Sequence, residues 1–117
     1  MAIKHAGQIV LFQFPQTDLG IGKMRPAILL AQLPSEYDDW LVCMMSSKTK
    51  QAISGIDELV SSVDDDFDET GLKTDTVIRL TRLAVVADSI FTGMIGEIGS
   101  DRLKRLRQNL VQWIQDS

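Results

Sequence analysis

Two stretches near the start decide the fold: Gly7-Gln8-Ile9-Val10-Leu11-Phe12-Gln13-Phe14-Pro15, and Lys23-Met24-Arg25-Pro26-Ala27-Ile28-Leu29-Leu30-Ala31. Residues 8–14 alternate Ile9, Leu11 and Gln13 with Val10, Phe12 and Phe14, a period-two pattern that predicts a strand apolar on both faces at one end. Pro15 predicts its end, since proline cannot donate to a sheet ladder. Residues 16–23 contain Gly20 and Gly22 and read as a polar loop. The second stretch turns that loop into an apolar strand over 26–32, with Arg25 held directly before Pro26. The proline confines Arg25 to extended conformations. A permanent cation therefore stands at a strand edge, and its planar fork of donors matches two phosphate oxygens at once.

Further along the chain, Pro34-Ser35-Glu36 predicts a turn into a strand over 40–46. Residues 48–72 lack clear periodicity and read as an excursion, with a short strand or a turn of helix around Leu59-Val60. Strands follow over 76–80 and 83–86, and a short one over 94–98. From Ser100 the pattern changes to Leu103, Leu106, Leu110, Val111 and Ile114, one face of a helix that Ser100 can cap and whose positive end suits Asp101. Many short strands and one terminal helix give a mainly β class: a small, strongly bent antiparallel barrel with a C-terminal α-helix packed on it. Residues 1–117 read as one domain without internal repeats or a linker.

At 117 residues with 44% hydrophobic content, the chain can bury a core without staples and is not of disordered composition. Its longest apolar runs, 27–31 and 83–87, fall far short of the roughly 20 residues that span a bilayer, so no membrane partner is expected. No long apolar core follows Lys4, which argues against a signal peptide, and a single cysteine forbids an internal disulfide. These features point to a cytoplasmic protein. The net charge of −4 and pI near 4.8 run against the usual footprint of a nucleic-acid binder. The distribution is uneven, however. Seven of the 16 acidic residues are Asp57, Glu58, Asp64, Asp65, Asp66, Asp68 and Glu69, whereas Lys23, Arg25, Lys48, Lys50, Arg79 and Arg82 punctuate the strand signatures. Local positive potential can coexist with a negative total.

The Gly-Gln-Ile-Val strand ending at a proline, followed by a loop and then by Arg25-Pro26 and an aliphatic strand, resembles the opening of the MazF/PemK-like family of toxins. The likeness continues through Leu41-Val42-Cys43-Met44-Met45-Ser46-Ser47, Gly71-Leu72-Lys73, Thr76-Val77-Ile78-Arg79-Leu80 and Ile95-Gly96-Glu97-Ile98, in the family's order. The resemblance implies an SH3-like barrel and the toxin half of a type II toxin–antitoxin pair. The implied activity is metal-independent, sequence-specific cleavage of single-stranded RNA, chiefly mRNA, through a 2′,3′-cyclic phosphate, with no cofactor. It further implies a homodimer silenced by a cognate antitoxin protein. Two other readings stay open: a degenerate relative that only binds a partner, and a gyrase-poisoning toxin of the same fold that traps gyrase on DNA.

Carried onto this sequence, the family's catalytic arginine falls on Arg25 and its usual threonine on Ser46. The serine keeps a hydroxyl able to bond phosphate or a ribose 2′-OH, but loses the methyl that stiffens the rotamer. Ser47 offers a second hydroxyl. Arg79 matches an arginine that some members use, yet the aspartate found two residues later in those members is Thr81 here. Lys23, Lys48 and Arg82 are candidate phosphate contacts, and Ser47 and Arg79 complete the candidate RNA-binding set. Each charge also has an ordinary reading as a solvated side chain, and Arg79 as one paired with the acidic loop. His5 is the single histidine, which excludes a two-histidine acid/base pair within one chain. Cys43 reads as a small core residue and Trp40 and Trp113 as packing residues. The run 64–69 imitates a calcium loop, but Glu69 stands where such a loop needs glycine and Asp75 where it needs glutamate. No Cys/His cluster offers a zinc site.

Overall fold

A computed structural model describes residues 4–13 and 24–117. Six strands, β1 (Gln8–Gln13), β2 (Met24–Gln32), β3 (Asp39–Ser46), β4 (Glu58–Val60), β5 (Thr76–Ala87) and β6 (Gly93–Glu97), form one antiparallel sheet in the order β4-β5-β3-β2-β1-β6. A four-residue helix α1 (Phe67–Thr70) and a long terminal helix α2 (Ser100–Asp116) complete it. The sheet curls into a half-barrel, the architecture expected from the sequence. Among the described residues no helix is long and apolar enough to cross a membrane.

Alternation along the strands divides the core in two. One side chain set, including Ile9, Ile28, Leu30, Cys43, Met45, Ile78 and Leu80, packs with Leu106 and Leu110 of α2. The other set, Val10, Phe12, Ala27, Leu29, Trp40, Val42, Val86 and Phe91, packs on the opposite face of the sheet. Strands apolar on both faces are what such a two-sided sheet requires. At roughly 25 cal/mol per Å², each fully buried aliphatic side chain contributes about 2 kcal/mol. Trp40 is buried and Trp113 packs partly buried against the α2 cluster.

Four expectations change. Strand β2 begins at Met24, so Arg25 and Pro26 lie inside it, paired with Phe12 and Leu11 of β1. Pairing with β3 starts only at Ala27, so Pro26 sits where that ladder stops and a residue without an N–H costs least. The two strands expected over 76–80 and 83–86 are one: both halves pair with β3, and Leu80, Thr81 and Arg82 make a bend where the register jumps from Met44–Arg79 to Cys43–Leu83. Ser100 is the first residue of α2 rather than its cap; the cap position is Gly99, whose N–H donates to Asp66 Oδ2 at 2.9 Å. Finally, the buried line of α2 runs Arg102, Leu106, Leu110, Trp113, whereas Val111 and Ile114 are exposed at 56% and 59%. The expected helical face was rotated because an arginine does not look like a buried residue.

Arg102 explains the acidic segment. Its Nε donates to Asp66 Oδ2 at 2.8 Å, its Nη1 to Glu58 Oε2 at 2.7 Å, and its Nη2 to Asp64 Oδ2 at 2.8 Å, with the side chain only 8% exposed. Arg105 grips the same Glu58 through both of its carboxylate oxygens at 2.7 and 2.8 Å. The run 64–69 is therefore tied to α2 by charge-assisted bonds, with Asp64 and Asp66 engaged by arginine. On the far side of the segment, α1 abuts β6 so closely that a Cβ on Gly96 would overlap the backbone of Glu69 and Thr70. A Cβ on Gly71 would likewise overlap the Ile95 carbonyl, and Gly71 is left-handed at φ 72°.

Arg102 holds the Asp66 carboxyl below its ordinary value, and the Ser61 N–H, followed by Arg102, does the same for Asp64. A depressed folded-state value adds stability that is full above the unfolded value of about 4 and is lost as the pH falls from there through the lower folded-state value. Arg102→Met leaves Asp64 and Asp66 without their arginine, while Glu58 keeps Arg105, and is expected to cost about 3–5 kcal/mol at neutral pH, a deficit that narrows below about pH 4 in denaturant titrations. Gly96→Ala forces α1 off β6 and is expected to cost about 2 kcal/mol in the same assay.

Candidate functional site

Strands β2 and β3 bring the two leading candidates together. Their register pairs Leu29 with Val42, Ile28 with Cys43 and Ala27 with Met44. The ladder ends at Ala27, and alternation along each strand puts Arg25 and Ser46 on the face shared by Ala27 and Met44. Directly opposed residues of an antiparallel pair point to the same face. That face is the one away from α2, since Arg25 pairs with Phe12 across β1 and Phe12 belongs to the second cluster. Arg25 is half-buried.

Ser46 closes β3, and the chain turns at once. Its Oγ accepts the Lys48 N–H at 3.1 Å, a local turn that fixes the hydroxyl oxygen beside the strand end. The hydroxyl hydrogen is still a donor, so the residue can offer one bond outward. Ser47 and Lys48 are exposed on this turn, which runs into a short 3₁₀ helix at Thr49–Gln51.

Arg79 stands on the other side of β3, paired with Met44, two residues along from Ser46. Its Nε donates to Asp57 Oδ2 and its Nη1 to Gln51 Oε1, both at 3.1 Å. Its side chain keeps 13% of its surface, while that of Asp57 keeps none. Arg79 is thus paired with the acidic segment. Asp57 Oδ1 and Thr81 Oγ1 are buried without a hydrogen-bond partner among the described residues. Arg82 is exposed in the β5 bend, beyond Arg79 as seen from Ser46, and Lys23 lies outside the described residues.

Other reactive groups stand apart. His5 is exposed, with Nε2 at 3.7 Å from Glu97, at the end of β1 opposite to the one that faces Arg25. Cys43 is wholly buried, and burial, reinforced by the nearby Asp57 charge, pushes its thiol up to about 12. It is a packing residue and not a nucleophile. Among the described residues no three His, Cys, Asp or Glu side chains gather as a metal site. A cavity of about 270 Å³ between Gly55, Ile56, Asn109, Trp113 and the last residues of α2 contains none of the candidate residues.

Sequence reasoning allowed Arg79 a partner in the acidic loop but did not single out Asp57 or Gln51, which lie 22 and 28 positions from the arginine they hold. The only signal available was an acidic residue near the unassigned 48–72 excursion and an arginine lacking the expected neighbouring aspartate. The electrostatic consequence is general. Asp57, Glu58, Asp64 and Asp66 neutralise arginines inside the molecule, so they weigh little on the field at the Arg25–Ser46 end.

A search of curated proteins returned no match. The family model described as PemK-like, MazF-like toxin of type II toxin–antitoxin system matches residues 5–114, nearly the whole chain and both strands of the candidate site. With its half-barrel and terminal helix, the chain belongs to the PemK-like, MazF-like toxins of type II toxin–antitoxin systems.

Proposed function

We propose that this toxin is a metal-independent endoribonuclease acting on single-stranded RNA, with Arg25 and Ser46 as its central pair. The observation that supports the reading most is strand alternation from the Ala27–Met44 pair, by which Arg25 and the turn-anchored Ser46 hydroxyl share one face. In the reaction the substrate's own 2′-oxygen attacks the adjacent phosphorus, the bond to the 5′-oxygen breaks, and that oxygen takes a proton. The products are a 2′,3′-cyclic phosphate and a 5′-hydroxyl. Arg25 stabilises charge on the phosphoryl oxygens, and being always protonated it serves as an electrostatic group rather than a base. Ser46 donates its remaining hydrogen to orient phosphate or ribose. Ser47, Lys48, Arg79 and Arg82, with Lys23, supply contacts along the backbone of the RNA.

A homodimer with RNA across the subunit interface, in the cytoplasm, completes the proposal, and an acidic antitoxin segment would meet Arg25 in the place of phosphate. A second reading, a relative that binds its partner without cleaving RNA, draws on the Ser46 oxygen already engaged by Lys48 and on Thr81 in the place of a carboxylate. The two readings part in one assay. Purified protein is expected to cleave single-stranded RNA in EDTA and leave 5′-hydroxyl ends at a defined sequence. Arg25→Ala is expected to slow this about 10²–10³-fold, the usual cost of removing one oxyanion-stabilising donor. Equal 5′-end maps and equal rates for the two proteins would sink the ribonuclease assignment.

A further inference from the structure

Arg79 is engaged through two of its three nitrogens. Asp57 takes Nε and Gln51 takes Nη1, while no described residue takes Nη2. The carboxylate that does this is itself fixed: its Oδ2 also accepts the Ile53 N–H at 3.0 Å, and the Asp57 N–H donates to the Ile53 carbonyl at 2.9 Å. Asp57 is thus locked into a tight turn before it meets the arginine. Gln51 belongs to the 3₁₀ helix that directly follows the Ser46–Lys48 turn. Burying a carboxylate completely is costly, and its second oxygen finds no partner, so apolar packing does not account for its presence.

We propose that Asp57 and Gln51 are positioning residues for Arg79, holding its guanidinium by Nε and Nη1 so that Nη2 faces the RNA phosphate beside Arg25 and Ser46. Asp57 thereby supplies, from a distant part of the chain, the carboxylate partner that Thr81 does not. Neither residue touches the substrate. A guanidinium free to rotate spreads its donors over several orientations, whereas one held at Nε and Nη1 keeps Nη2 in one. The inference rests on the ribonuclease reading.

The test compares wild type, Arg25→Ala, Asp57→Asn, Gln51→Ala, Arg79→Ala and the double variant Asp57→Asn/Arg79→Ala. RNA cleavage in EDTA, thermal unfolding and the arginine Nε–H signals in nitrogen–proton NMR are measured for each. Asp57→Asn is expected to lower kcat about 10–100-fold with little change in KM, and to speed solvent exchange of the Arg79 Nε–H. In the Arg79→Ala background the same change is expected to have no further effect on kcat. A merely structural tie would instead lower the melting temperature and leave the kcat of the folded fraction alone. Wild-type kcat in Asp57→Asn, or an equal loss with and without Arg79, overturns the inference. Should Asp57→Asn not fold, Gln51→Ala decides, because Gln51 is exposed. A loss of about threefold in kcat that vanishes in the Arg79→Ala background supports the proposal, and an unchanged kcat overturns it. An inactive wild type, or a fully active Arg25→Ala, sinks the ribonuclease reading and this inference with it. An Arg25-dependent wild type with an indifferent Asp57→Asn overturns this inference alone.

Discussion

The Arg102 guanidinium is the contact on which the architecture hangs. It sits nearly buried between the terminal helix and three carboxylates drawn from residues 58, 64 and 66, and it joins parts of the chain that share no strand pairing. Buried ion clusters contribute little net free energy once desolvation is counted, but they tolerate one arrangement only. The long segment between β3 and β5 carries little regular structure, with one three-residue strand, one short 3₁₀ helix and one turn of α-helix. Its apolar content alone would let it settle on the sheet in several ways. Matching three acidic groups to one arginine selects among them.

Two consecutive residues connect that clamp to the proposed chemistry. Glu58 turns toward Arg102 and Arg105 on α2, and Asp57 toward Arg79 on β5. The same acidic stretch therefore orders the helix side and the site side of the sheet. The exposed Lys48 and Lys50 that follow Ser46 remain outside that pairing.

Much of the fold was legible because a strand packed on both faces reads as a short continuous apolar run bounded by polar or turn residues, as in β1 and β3. The resemblance to the family added the order of the segments and the pair Arg25 and Ser46. What stayed hidden was long-range and polar. Thr81-Arg82 looks like a break between strands, and only the shared pairing with β3 shows that the backbone stays extended around a bend. Arg102 reads as a solvated helix residue until its three partners are placed around it. Asp57 has no local pattern at all, since a partnership between a turn and a strand 22 residues away leaves no periodic trace. The shared face of Arg25 and Ser46 likewise depends on the pairing of Ala27 with Met44, which sequence alone does not state.

The helix carries a second arginine with a different duty. Where the register of β2 slips between Leu29 and Ala31, the Leu30 carbonyl accepts both Nε and Nη2 of Arg107, at 3.1 and 2.9 Å. Five residues separate Arg102 from Arg107, about 7.5 Å along the axis at the usual helical rise. A rod pinned at two such points can neither slide nor roll. The helix thereby indexes β2 against the acidic segment, and because Arg25 lies on that same strand, the seat of the proposed chemistry is referenced to the far side of the sheet like a dial set against a fixed mark.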